Sequence, residues 1–177
     1  PLVPIPPVTK PETRFFEEDK DSIQSAVRMG MVTIPLSHPD YDDLQVVETV
    51  FGGYFGSRLM SNIREEKGYT YGIGSGLIPQ PYESIKVVAS QCAHEYVNPL
   101  IDEVYAEMQK LHDQPIPEEE LDMVRNYMLG ELSRRYENVL SLNDAYIYAD
   151  SSGLDDDFMA HRTQNIRSIT PDRASQI

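Results

Sequence analysis

Two side chains able to hold a peptide backbone, Arg64 and Tyr71, lie close together in the sequence. A guanidinium is a planar fork of N–H donors and a phenol has one O–H donor, so the pair suits the carbonyl oxygens of an extended peptide. Arg64 follows Met60 by four positions, near the inner edge of a predicted helix, and Tyr71 is the third residue of the predicted strand that follows. We interpret the pair as a candidate substrate-binding site.

Both residues also have ordinary structural roles open to them. Arginines on helices most often pair with a nearby carboxylate, and Glu65 and Glu66 directly follow Arg64. Tyrosines in strands most often belong to the core, with the hydroxyl satisfied by a protein partner. The spacing of Arg64 and Tyr71 by itself leaves the functional and structural interpretations open.

The segment 51–78 must position this pair. Glycines at 52, 53 and 56 interrupt an apolar run and predict a corner between two helices. Ser57 is predicted to cap the second helix with its side-chain oxygen, and Gly68 is predicted to end that helix in the left-handed conformation. The two helix ends would hold Arg64 just before the strand that carries Tyr71.

A strand with two unlike faces is predicted over 69–78. Apolar side chains occupy alternate positions of one face: Tyr69, Tyr71, Ile73 and Leu77. The opposite face carries three glycines: Gly72, Gly74 and Gly76. Because glycine weakens a strand, this face is predicted to lie in close contact with another backbone or a helix.

The stretch GGYFGSRLMSNIREEKGYTYGI resembles the C-terminal half-domain of the pitrilysin/insulinase family of zinc metallopeptidases, which includes mitochondrial processing peptidase. The likeness spans about residues 20–173 and includes three further motifs: His38-Pro39-Asp40, Glu120-Leu121 and Thr170-Pro171-Asp172. The resemblance implies that Arg64 and Tyr71 bind peptide substrate beside a zinc ion held by the other half of the enzyme. It also implies that this non-catalytic half does not cleave peptides alone.

The order of the predicted elements indicates an α+β fold. The elements are a short strand over 14–17, a strand over 23–34, a helix from Asp40 to Phe51, a hairpin of strands 69–78 and 85–92, helices over 97–111 and 121–132, and two helical segments separated at Gly153. Strands and helices do not alternate regularly. We therefore predict two layers, a mostly antiparallel sheet covered on one face by helices.

The chain is predicted to contain one half-domain and a linker. Residues 1–13 are rich in proline and are typical of an extended interdomain linker, whereas 14–177 have the length of a single domain. Thr170 and Pro171 predict a helix start only a few residues before the sequence stops. The half-domain is therefore predicted to be truncated at its C-terminus, and the metal-bearing half to be either fused or a separate subunit.

Composition excludes several classes of partner. The formal net charge of −14 argues against nucleic acid, because phosphate binding needs a basic surface. No apolar run approaches the ~18 residues that a membrane-spanning helix requires. The single Cys92 cannot form an internal disulfide, and its place at the end of an apolar strand predicts a buried, unreactive thiol. The cellular compartment stays open.

No catalytic residue, metal ligand or cofactor is predicted in this chain. The inverted HxxEH zinc motif of the family is absent, since none of the histidines has a second histidine four residues away: His38, His94, His112 and His161. Zinc is expected in the partner half. Two alternatives remain, a scaffold subunit of the same fold, such as those in a respiratory complex, and a stand-alone module that binds peptides at a sheet edge.

Overall fold

The computed structural model describes residues 14–17, 21–80 and 82–177, so the predicted linker over 1–13 lies outside the described residues. The sheet is antiparallel with strand order β1-β3-β2: β1 (Ser25–Thr33), β2 (Thr70–Pro79) and β3 (Ser84–Cys92). The α-helices are α1 (Tyr41–Glu48), α2 (Val97–Asp113), α3 (Glu118–Arg135), α4 (Val139–Ser152), α5 (Phe158–Ser168) and α6 (Pro171–Ala174). Two π-helical segments separate α1 from β2: π1 (Thr49–Gly53) and π2 (Met60–Glu66). The predicted α+β class is confirmed.

One face of the sheet carries the core beneath the helices. In the cross-strand register, Val27 of β1 lies opposite Ser90 of β3, and Met29 lies opposite Val88. Residues paired in this way share a face of the sheet. The buried cluster on this face combines the sheet with both π-helical segments and α2: Val27, Phe51, Leu59, Met60, Ile63, Ile73, Val88, Cys92, Leu100 and Val104.

A second buried cluster lies among the helices. It joins α1, π1, α3, α5 and α6 through small and branched apolar side chains: Val46, Val50, Ile116, Leu121, Val124, Ile166, Ile169 and Ala174. Val50 belongs to this cluster, whereas its neighbour Phe51 belongs to the cluster beneath the sheet. The segment π1 therefore connects the two parts of the core. None of the described helices is long and apolar enough to cross a membrane.

The glycines of β2 do not face close-packed protein as predicted. An added Cβ at Gly72 or Gly76 would meet no described atom within 4 Å, and one at Gly74 would make an ordinary contact of 3.5 Å with the Gly52 carbonyl oxygen. The close approach occurs instead at Gly52, whose backbone lies against Ser75 on the helix-covered face. Among the described residues, the predicted contact with another backbone is therefore absent at Gly72 and Gly76, and at Gly74 it is an ordinary contact with Gly52.

Two local predictions were wrong. Residues 14–17 form no strand, and the Arg14 guanidinium donates a hydrogen bond to Asn98 Oδ1 at 2.7 Å. Ser57 does not cap a helix with its side chain, because that side chain is buried in the corner and its Oγ has no partner in the described chain. The Ser57 carbonyl accepts from Ser61 N–H at 2.9 Å instead.

Turn and cap predictions based on local chemistry were confirmed. Strands β2 and β3 form the predicted antiparallel hairpin. Gly68 adopts the predicted left-handed conformation, with φ of 67°. Gly153, predicted to separate two helical segments, follows α4 and precedes α5, with φ of 71°. Thr170 accepts a hydrogen bond from Arg173 N–H and caps α6. These features depend on neighbouring residues, which is why the sequence predicted them.

Candidate functional site

Arg64 lies on a π-helical segment instead of the predicted α-helix. The wider turn is seen where Lys67 N–H donates to the Asn62 carbonyl oxygen at 2.9 Å, five residues back. This geometry lets Met60, Asn62 and Ile63 all turn into the protein, with exposures of 8%, 9% and 0%. Short π-helical stretches are rare and occur frequently at functional sites.

A polar cluster anchors π2 to α2. The Asn62 amide donates to Glu103 Oε2 at 2.9 Å and to Glu107 Oε1 at 2.7 Å. Lys67 Nζ lies 3.3 Å from Glu103 and Lys110 Nζ lies 2.6 Å from Glu107. The amide hydrogen bond and the Lys67 ammonium lower the pKa of Glu103, and Glu103 in turn raises the pKa of Lys67. The segment that carries Arg64 is thus held at a fixed position on α2.

A β-bulge turns Tyr71 out of the sheet. Tyr71 and Gly72 of β2 together lie opposite the single residue Gln91 of β3. The extra residue breaks the predicted alternation, so Tyr71 does not share the buried face of Ile73 and its side chain is 92% exposed. The prediction of one apolar face was wrong here, and Tyr71 is not a core residue.

Two hydroxyl groups hold this bulge. The Thr70 hydroxyl donates to the Gln91 carbonyl oxygen at 2.6 Å and accepts from Gly72 N–H at 3.1 Å. The buried Ser90 hydroxyl donates to the Gly72 carbonyl oxygen at 2.9 Å. The backbone groups that the bulge removes from the ladder are therefore paired, and the bulge is a fixed feature of the strand.

The Arg64 guanidinium is oriented by two neighbours. Its Nε donates to the carbonyl oxygen of Tyr71 at 3.0 Å, and its Cζ lies 4.7 Å from the ring centroid of Phe55. Glu65 is more distant, with 3.6 Å between its Oε1 and Arg64 Nη1. The structure thus brings Arg64 to the backbone of Tyr71, while the Tyr71 hydroxyl makes no hydrogen bond to any residue in the described ranges.

Arg64 and Tyr71 line the same cleft of about 560 Å³. It lies where the end of π2, the start of β2 and the end of β3 meet. One wall carries the rings of Tyr69 and Tyr96, which stack with centroids 4.8 Å apart. A guanidinium and a phenol at the edge of one open cleft can both donate hydrogen bonds to an extended peptide.

Sequence reasoning missed Phe55, the bulge and the anchoring cluster. Gly72 next to Tyr71 is a weak signal for a bulge, because glycine within a strand pattern can mark one, but Gly74 and Gly76 of the same strand carry the same signal. The contact between Phe55 and Arg64 and the bonds of Asn62 to α2 carry no comparable local signal.

The described residues do not fit a zinc site. They contain no group of three or more His, Cys, Asp or Glu side chains that could hold a metal ion. The ring nitrogens of His94 lie 2.7 Å from Ser25 Oγ and 2.8 Å from the Ser22 carbonyl oxygen, so both are already used. Cys92 is 1% exposed, and burial raises the pKa of its thiol, as expected of an unreactive side chain.

Comparison with known proteins gives concordant results. The family model described as the peptidase M16 inactive domain matches residues 1–128. An uncharacterized zinc protease from Rickettsia bellii is 28% identical over 95 residues, which are 54% of this chain and 23% of that protein. This chain thus spans about a quarter of the length of its curated relative.

Solved structures share the fold at low sequence identity. The peptidase M16 inactive domain from Pseudomonas fluorescens superposes with a TM-score of 0.81 at 20% identity, over 88% of this chain and 37% of that one. A chain of complex III2 from Candida albicans superposes with a TM-score of 0.75 at 14% identity, over 89% of this chain and 40% of that one. With the family model covering most of the sequence, this chain belongs to the M16 inactive-domain family, the C-terminal half-domain of the pitrilysin/insulinase type of zinc protease.

Proposed function

We propose that this domain contributes peptide-binding residues to a zinc metallopeptidase. The zinc ion is bound by the other half of the enzyme, which is either fused to this domain or a separate subunit. By itself the domain does not cleave peptides. The observation that carries the proposal is the shared cleft, in which Arg64 donates a hydrogen bond to the bulge and the Tyr71 hydroxyl has no hydrogen-bond partner among the described residues.

In this proposal, Arg64 positions the peptide substrate and takes no part in proton transfer. Its Nε is occupied by the Tyr71 carbonyl, and Glu65 lies 3.6 Å from Nη1, too far for a hydrogen bond, so the terminal nitrogens can hold a carbonyl oxygen of the substrate. A backbone carbonyl held in this way keeps the peptide extended and in register with the reacting group. The role requires the planar fork and not only the positive charge.

Tyr71 donates a hydrogen bond in this proposal. A preorganised donor stabilises a carbonyl oxygen as it gains negative charge during attack, and a single donor of this kind contributes about 3–4 kcal/mol elsewhere. Its side chain is almost fully exposed on a fixed bulge, so donation to a ligand requires no rearrangement of the core. The proton stays on the phenol oxygen throughout.

The test is to replace both residues in the complete enzyme, with the metal-bearing half fused or added. Tyr71→Phe is expected to lower kcat/KM about 100-fold or more, with an unchanged melting temperature because the hydroxyl has no partner within the described chain. Arg64→Lys is expected to impair cleavage as well. Tyr105→Phe, at an exposed tyrosine of α2, is the matched control. Full peptidase activity in both variants would contradict the proposal.

A scaffold role is the second candidate, supported by the similarity to a chain of complex III2. It predicts that Tyr71→Phe and Arg64→Lys leave cleavage by the assembled protein unchanged, or that the assembled protein cleaves no peptide at all. Measuring cleavage and complex assembly on the same preparations separates the two candidates.

A further inference from the structure

We infer that Phe55 is a positioning residue for Arg64 and also the apolar surface that contacts one side chain of the bound peptide. The second part rests on the proposed function, whereas the first concerns this chain alone. Together they predict a substrate with a large aliphatic or aromatic side chain next to the carbonyl that Arg64 holds.

The position of the ring supports the first part. A cation within about 6 Å of an aromatic centroid is attracted to the ring face, and the Arg64 Cζ to Phe55 distance is 4.7 Å. The hydrogen bond from Nε to Tyr71 fixes one edge of the guanidinium. The Phe55 ring packs against the guanidinium group. The hydrogen bond and the ring contact together determine where the terminal nitrogens of Arg64 lie.

The corner that carries Phe55 is itself fixed. Ser57 N–H donates to the Tyr54 carbonyl oxygen at 3.1 Å, closing a tight turn. The Tyr54 ring lies 5.0 Å from the Tyr127 ring of α3, and a Cβ at Gly56 would approach it to 2.8 Å. The turn that carries Phe55 therefore packs against α3, which fixes the position of the Phe55 side chain.

The exposure of the ring supports the second part. Phe55 is 65% exposed and belongs to neither buried cluster, although it is a large apolar side chain beside the candidate site. A carbonyl bound by the outer nitrogens of Arg64 brings its own side chain within van der Waals reach of this ring. Burial of the ring favours an apolar side chain, and the adjacent guanidinium repels a basic one.

The positioning part is tested by NMR of this chain. In the unmodified protein, the Arg64 Nε–H proton is expected to show an upfield ring-current shift and slow exchange with water. Phe55→Tyr should keep both, while Phe55→Leu should lose the shift and speed the exchange about two- to fivefold. Tyr105→Leu is the matched control, because this exposed aromatic residue lies on α2 and, in the described part of the chain, the ring over Arg64 is that of Phe55. An unchanged Arg64 resonance in Phe55→Leu would overturn the positioning role.

The specificity part is tested in the complete enzyme with two peptides that differ only in leucine or alanine beside the bound carbonyl. The unmodified enzyme is expected to favour leucine about tenfold in kcat/KM. Phe55→Ala should abolish this preference, and Phe55→Leu should retain it while lowering kcat/KM for both peptides. A leucine preference that survives in Phe55→Ala would overturn the specificity role. Failure of the proposed function is distinct, since it would appear as full activity in Arg64→Lys and Tyr71→Phe.

Discussion

Position 52 has no room for a side chain. A Cβ there would lie 2.3 Å from Ser75 Oγ, 2.8 Å from the Ser75 backbone nitrogen and 2.9 Å from Leu59 Cδ1. The absence of a Cβ lets the backbone of π1 lie directly on β2, which sets the distance between the helical layer and the sheet. A flexible side chain could move away from an added methyl group, but the strand backbone cannot.

We expect Gly52→Ala to destabilise the protein by about 1–3 kcal/mol, because overpacking against a backbone atom forces the layers apart. Gly76→Ala is the matched control on β2, the strand that Gly52 contacts, since no described atom lies within 4 Å of its added Cβ and its φ is not positive. Denaturant unfolding midpoints measure the difference. Equal stability of the two variants would contradict this account.

The strand that carries Tyr71 combines regular pairing with one irregular step. Beyond Ile73, β2 pairs with β3 in unbroken register to Pro79, whereas the bulge lies at its first residues, beside the cleft. Bulges occur often next to active sites because the inserted residue re-aims a side chain. The Thr70 hydroxyl is central to this one, since it contacts the backbone on both strands.

Thr70→Val is expected to loosen the bulge while keeping the shape of the side chain. The loss of these two hydrogen bonds should lower the free energy of unfolding by about 1–3 kcal/mol. If Tyr71 acts as proposed, its displacement should lower kcat/KM of the complete enzyme by about tenfold or more. Thr70→Ser keeps the hydroxyl and should retain activity. Thermal unfolding and peptide cleavage are measured together, and normal cleavage by Thr70→Val would show that the hydroxyl does not position Tyr71.

Ion pairs connect elements that are distant in the sequence across the whole molecule. Arg58 Nη2 lies 2.7 Å from Glu120 Oε2 of α3, and Arg162 Nε of α5 lies 3.0 Å from Asp42 Oδ1 of α1. The chain has 29 acidic residues and only 15 basic ones. Several of the basic side chains form ion pairs between different helices. Protonation of the carboxylates at acid pH therefore weakens contacts between elements as well as within them.

Acidification should remove the stabilising contribution of Glu103. Its pKa is lowered in the folded protein from the ordinary value of 4.5, so its contribution is complete above that value and is lost as the pH falls through the folded pKa. At pH 7 the unmodified protein is expected to melt about 2–4 °C above Glu103→Gln. The difference should vanish at strongly acid pH. A difference that is independent of pH would contradict the role of the charge.

Features with a local cause were predictable from the sequence. The hairpin, the amphipathic helices and the α+β class follow from hydrophobic periodicity, and the left-handed Gly68 and the break between helices at Gly153 follow from turn chemistry. The candidate pair Arg64 and Tyr71 was found from residue type and resemblance, and its role in substrate binding stays a prediction.

The sequence by itself determined the class of the fold, the ends of most elements and the family to which the chain belongs. Only the tertiary structure decided that the helix carrying Arg64 is a π-helix, that a bulge exposes Tyr71, and that Phe55 supports the guanidinium. The first two depend on residues distant in the sequence, Asn62 with Glu107 and Thr70 with Gln91, and the third on a corner that brings Phe55 back over Arg64. Periodicity and turn signals report on neighbours along the chain, whereas such contacts exist only after the layers have come together.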